Sequence, residues 1–197
     1  MPKQTRRSFL RNTAAIGIGA SFFLGGTKAS GKIIGANDRI RIAVAGINGR
    51  GQAHIRGFGE IDGVEIAALV DPDSRLFDER SERVRAKSGS TPKCYQDIRE
   101  ALDDPTIDAV SVATPNHWHS LITIWACQAG KHVYVEKPCS HNVFEGRKAV
   151  EAAARYNRLV QHGAQNRSSQ GRANQVAAAR EGRYGKLLVA KGYCCKP

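Results

Sequence analysis

The chain has 197 residues, 41% of them hydrophobic and 24% charged, with 30 Lys plus Arg against 18 Asp plus Glu for a net charge of +12. This composition excludes disorder and a collagen-like repeat, and the length suits one domain of ordinary size with part of another. A basic excess suggests nucleic acid or an anionic membrane surface, but its distribution argues otherwise. Residues 1–36 carry six basic and no acidic side chains, residues 37–151 carry 15 basic and 17 acidic ones, and residues 152–197 carry nine basic ones against Glu181 alone. The middle is slightly acidic and shows no interleaving of aromatic and basic residues, so no nucleic-acid role is expected.

The first block reads as a targeting segment. Thr5-Arg6-Arg7-Ser8-Phe9-Leu10 precedes an apolar, glycine-rich run over 14–26, too short to span a bilayer. It resembles a twin-arginine export signal, with paired arginines followed by Phe-Leu and the small residues 27–30 as a cleavage region. The resemblance implies the twin-arginine export machinery as a partner and a periplasmic or other extracytoplasmic location. The alternative is an uncleaved leader that leaves the protein in the cytoplasm.

From Arg39 onward, short apolar, β-branched runs alternate with longer amphipathic ones, the pattern of βαβ units around a parallel sheet. The expected strands are 40–46, 64–71, 108–114, 132–136 and 159–163. The expected helices are 51–58, 74–87, 97–102, 119–129, 143–156 and 169–181. The fold class is therefore α/β, a doubly wound parallel sheet of the Rossmann type. The leader and its linker occupy residues 1–36, ahead of this alternating region. The five cysteines, Cys94, Cys127, Cys139, Cys194 and Cys195, form no C-x-x-C pair; neither a disulfide framework nor a zinc site is expected, and Cys127 reads as a core residue.

The first strand runs into a helix through Gly46-Ile47-Asn48-Gly49-Arg50-Gly51. Glycines crowd the turn where a dinucleotide pyrophosphate needs bare backbone N–H groups and a helix N-terminus. The second strand closes with Asp71, 20 residues after Gly51, the spacing at which an acid accepts hydrogen bonds from the adenosine ribose. Asn48 replaces the second glycine of G-x-G-x-x-G and tolerates a positive φ. Asp71 favours NAD over NADP because a carboxylate repels a 2′-phosphate; Arg75 nearby leaves NADP possible.

At the end of the third of these strands stand Thr114, Pro115, Asn116, His117, Trp118 and His119, where open α/β sheets place their ligands. His119 reads as a helix N-terminal residue facing the cofactor or, alternatively, as a satisfied structural histidine, and Trp118 as packing. His117 and His119 are two residues apart and point in different directions on a helix, so no metal site is expected. The next strand ends in Glu136-Lys137-Pro138. Successive strand side chains face opposite ways, and Lys137 is the better candidate for the site. Beside an oxidised, cationic nicotinamide, like charge and desolvation favour a neutral lysine, which suits it to take a proton from an alcohol as hydride leaves. The following Pro138 admits a cis bond.

These residues resemble the Gfo/Idh/MocA family, the glucose–fructose oxidoreductase and inositol dehydrogenase relatives. The resemblance lies in the glycine turn, Asp71, Ala113-Thr114-Pro115 with His119, and above all Glu136-Lys137-Pro138; Gln165-Asn166-Arg167 resembles the crossing into the family's second domain. It implies an NAD(P)-dependent oxidoreductase acting on a sugar, polyol or sugar derivative. Lys137 would be the catalytic lysine, Thr114, Asn116, His119 and Gln165 would lie along the cofactor, and Glu136 would contact it or brace the strand. It also implies a dinucleotide-binding domain over 37–165 and, over 166–197, the truncated start of a second α/β domain whose first strand is expected over 186–193; in the family that domain supplies most substrate contacts and a catalytic Asp and His pair, so this chain reads as a fragment, with a homo-oligomer expected only of a full-length form. Two alternatives stay open: a catalytically silent dinucleotide-binding module, and an NAD-dependent glycosidase of the kind in which some exported relatives transiently oxidise a sugar while cleaving a glycosidic bond.

Overall fold

The computed structural model describes residues 39–192; the leader and the cysteine pair at 194–195 lie outside the described residues. Six strands form one wholly parallel sheet: β1 (Ile40–Ala45), β2 (Val64–Val70), β3 (Lys93–Tyr95), β4 (Ala109–Val112), β5 (His132–Val135) and β6 (Val160–His162), in the order β3-β2-β1-β4-β5-β6. That order reverses direction between β1 and β4, which opens a crevice at the carboxyl ends of the strands. The helices are α1 (Gly51–Phe58), α2 (Phe77–Ser88), α3 (Ile98–Asp103), α4 (His119–Gln128), α5 (Val143–Arg155) and α6 (Gln170–Arg180).

Parallel strands buried on both faces need apolar residues on both, and the sequence supplies them by alternation. Ile42 and Val44 of β1 join Ile55 of α1 and Val84 of α2 in one core layer, while Ala43 and Ala45 join Ile122, Ala126 and Cys127 of α4 in the other. Cys127 is wholly buried there, and burial pushes its thiol pKa up. A bulge between Ile42 and Ala43 leaves one extra residue, Ala67, in β2. It shifts the phase of that strand by one, so Leu69 packs under α1 and α2 with Ile66 rather than opposite it.

Most expected elements form within two residues of the sequence limits. The sequence reading missed β3, a strand of three residues, Lys-Cys-Tyr, on the outer edge of the sheet with two of them exposed; nothing in it is apolar enough to register. The expected strand over 186–193 is corrected: residues 186–192 carry no strand and are exposed. A strand exists through its ladder partner, and among the described residues nothing pairs with this stretch. Among the same residues, no helix is long and apolar enough to cross a membrane.

Candidate functional site

The glycine turn is fixed by close approach of backbones. Gly46 takes φ +81° and donates its N–H to Val70 O at 2.8 Å; a Cβ there would lie 2.7 Å from the Ala113 and Thr114 backbone. At Gly51 a Cβ would lie 1.9 Å from Gly46 O, so the first turn of α1 stacks directly on β1. Above Gly49 the space is open. Asn48 is not among the residues of positive φ, and its tolerance for that conformation goes unused. No side chain caps the start of α1 and no acidic residue stands in its first turn, which leaves the positive end of the helix dipole available to an anion.

Asp71 sits at the end of β2 as the spacing requires. Its Oδ2 accepts the Ile47 N–H at 2.9 Å and its Oδ1 accepts the Asp73 N–H at 3.0 Å. The carboxylate thereby braces the glycine turn and keeps lone pairs for a further donor. Arg80 of α2, which sequence reasoning missed, is buried and donates from Nε to Ile47 O at 3.2 Å. Arg75 is held by Asp73 through two bonds of 2.8 Å.

A cavity of about 450 Å³ opens beside Asp71, between the ends of β1, β2 and β4. Gly46, Thr114 and Pro115 line one side, and Ile98, Trp118 and Trp125 form an apolar wall. Trp118, read as packing, is 40% exposed and stands in that wall. Thr114 Oγ1 is buried and has no hydrogen-bond partner, a polar atom awaiting one. Asn116 is exposed at the start of a 3₁₀ turn. His119 lies beneath this rim: it is 1% exposed, with Nδ1 2.5 Å from Pro138 O and Nε2 2.8 Å from Thr114 O. It ties the loop after β4 to the loop after β5, the structural alternative offered for it, and does not face the cavity.

The loop after β5 divides its two charged residues as strand alternation requires. Lys137 is exposed, and its bond to Pro138 is cis. Glu136 is 3% exposed and turns inward. Its Oε1 accepts from Arg50 Nε at 2.8 Å and faces His54 Nε2 at 2.9 Å. Oε2 accepts the Lys137 N–H at 3.3 Å and a bond from Gln165 Nε2. Glu136 thus joins the glycine turn, the Lys137 loop and the segment after β6. Burial pushes its carboxyl up, but the bonds from Arg50 and His54 and the Arg50 charge prevail and hold it at about 2. His54, on the buried side of α1, also lies 2.7 Å from Ser111 Oγ of β4. Sequence reasoning missed both residues. The available signal was a histidine four positions after Arg50 on the apolar face of α1, and a serine inside an otherwise apolar strand.

Open space over Gly49, an uncapped helix start, an acid beside an apolar cavity and an orphaned hydroxyl together fit a dinucleotide. Comparison with known proteins agrees. Residues 40–164 match the GFO_IDH_MocA family, described as an oxidoreductase family with an NAD-binding Rossmann fold. A "Glycosyl hydrolase family 109 protein" of Shewanella pealeana is 32% identical over 134 residues, covering 66% of this chain and 29% of that protein; the chain thus spans under a third of the length of this curated relative. Among solved structures, myo-inositol 2-dehydrogenase from Lactobacillus plantarum is 25% identical with a TM-score of 0.66, over 77% of this chain and 44% of that one. The WlbA dehydrogenase from Bordetella pertussis, solved with NADH and UDP-GlcNAcA, is 25% identical with a TM-score of 0.63, over 75% of this chain and 43% of that one. With the match covering most of its length, the chain belongs to the Gfo/Idh/MocA oxidoreductase family and contributes its NAD-binding Rossmann domain.

Proposed function

We propose that this chain is the cofactor-holding unit of an NAD-dependent oxidoreductase that acts on an alcohol of a sugar, polyol or sugar derivative, with Lys137 as general base. The observation that carries the reading is the convergence of the glycine turn, Asp71, Thr114 and Lys137 on the carboxyl edge of one parallel sheet. The uncapped start of α1 and the open space over Gly49 would hold the pyrophosphate, and Asp71 the adenosine ribose. The lone pairs Asp71 retains, and the engagement of Arg75 by Asp73, favour NAD over NADP. When bound, the oxidised cofactor would supply the acceptor for a hydride from the carbinol carbon. Lys137, exposed at the same edge, takes the hydroxyl proton on Nζ.

The reading is tested by incubating a full-length form, in which a second domain supplies the substrate contacts, with NAD and a panel of sugars and polyols while following NADH. The full-length wild type should form NADH, and Lys137→Ala should lower the rate by about 10²–10⁴-fold with NADH affinity unchanged within a few-fold; no NADH from any substrate in the full-length form, or an undiminished rate in the variant, overturns the reading. A second reading, an NAD-dependent glycosidase, is favoured by the glycosyl hydrolase family 109 name of the Shewanella relative. Release of nitrophenol from nitrophenyl glycosides that requires added NAD would support it.

Export by the twin-arginine route is part of the same proposal, supported by Arg6-Arg7 before Phe9-Leu10 and the apolar run behind them. Replacing Arg6 and Arg7 with lysine should retain the protein in the cytoplasm. Unchanged export overturns that part.

A further inference from the structure

The cluster beneath the glycine turn brings a guanidinium and an imidazole to one oxygen. Arg50 Nε and His54 Nε2 approach the same Glu136 Oε1, at 2.8 and 2.9 Å. Their surroundings differ. Glu136 and His54 side chains are 5% and 4% exposed and cannot leave, whereas the Arg50 side chain is 48% exposed and grows from the turn itself, between Gly49 and Gly51. An anion over that turn would compete with Glu136 for the guanidinium, at the positive end of α1.

We propose that Arg50 is a shared cation, bound to Glu136 in the free protein and turned to the cofactor pyrophosphate in the loaded one, with His54 taking a proton to hold Glu136 when Arg50 leaves. The inference rests on the dinucleotide reading above. A carboxylate this deeply buried without a cation costs several kcal/mol, so the departure of Arg50 must be compensated from within the cluster. Lys137 and Gln165 reach only Oε2, through a backbone N–H and a side-chain amide. His54 is the remaining group able to become a cation at Oε1.

His54 is built to accept that proton. Its Nδ1 faces the Ser111 hydroxyl of β4 at 2.7 Å, and a hydroxyl donates to a neutral ring or accepts from a charged one by rotating. From β5 the Tyr134 ring packs edge-on with centroids 5.4 Å apart, and Phe58 of α1 packs at 6.1 Å. The charges acting on the ring are Glu136 and Arg50. In the free protein burial pushes His54 below its usual range, Glu136 pulls it back up and Arg50 pushes it further down. When Arg50 leaves, that last push goes while the Glu136 pull stays, so the protonated ring is favoured. Because loading raises the affinity of His54 for a proton, NADH must bind more tightly as pH falls, by at most about tenfold per pH unit.

The test is calorimetric titration of the chain with NADH at a mildly acidic pH, in two buffers of different ionisation enthalpy. Wild type should take up a fraction of one proton per NADH bound. His54→Gln, whose amide still donates to Glu136 without titrating, should bind NADH with no uptake and with affinity independent of pH over this range. Should that variant not fold, Arg50→Gln serves: His54 then holds Glu136 before and after loading, and the uptake should also vanish. Zero uptake by wild type, or the wild-type uptake in a folded variant, overturns the inference. Binding without uptake removes this inference alone, whereas absence of NADH binding removes the dinucleotide reading with it.

Discussion

A Gly51→Ala chain should lose NADH binding by two orders of magnitude or more and unfold at lower urea than wild type. An added Cβ would stand 1.9 Å from Gly46 O and 2.8 Å from Gly46 C. Both are backbone atoms, so no side chain can swing away to make room. The turn must open or α1 must slide outward, and either movement undoes the arrangement that presents the helix start to a phosphate. Overpacking of this kind costs about 1–3 kcal/mol, occasionally more. Gly49→Ala is the control: a Cβ there meets nothing within 4 Å, so stability should be unchanged. Urea unfolding with NADH fluorescence titration separates the two. An affinity for Gly51→Ala within a few-fold of wild type would contradict the close-approach argument.

Glu136→Ala should be the most destabilising substitution at the carboxyl edge, at about 3 kcal/mol. It strands the buried His54 Nε2 and removes the acceptor shared by Arg50 and Gln165. Arg50 is half exposed and recovers water, which keeps the loss at the lower end of the range for broken buried pairs. The carboxyl also dictates a pH dependence. It is held at about 2 against an ordinary value of 4.5, so its contribution is complete above about pH 4.5 and fades as pH falls towards 2. Wild type should therefore lose stability across that window, and Glu136→Gln, weaker at neutral pH, should lose less there. A Glu136→Ala chain within about 0.5 kcal/mol of wild type, the range of ordinary surface substitutions, would show that the cluster is not a structural hub.

The sheet and its turn were legible because their signals are local. The apolar, β-branched runs of β1, β2, β4 and β5 announce themselves, as do the glycines at 46, 49 and 51 and the acid closing β2. The Glu136-Lys137 alternation also follows from strand geometry, although sequence reasoning could not say what the buried member would meet. That partner set is non-local: His54 meets Ser111 and Glu136 across separations of 57 and 82 residues. Arg80 lies 33 residues from the turn it props. His119 shows the same limit from the other side. Its place at the start of α4 suggested a group facing the cofactor, whereas the carbonyls that claim its ring belong to two different loops. The strand expected over 186–193 failed for a related reason, since an apolar run becomes a strand only where another strand meets it.

The central claim is that the carboxyl edge of this sheet is a site for NAD. Titrating the chain with NADH, and separately with NADPH, while following nicotinamide fluorescence tests it most directly. The structure predicts saturable binding of one NADH per chain, with NADPH at least tenfold weaker because Asp71 opposes a 2′-phosphate. An absence of saturable NADH binding would contradict the account.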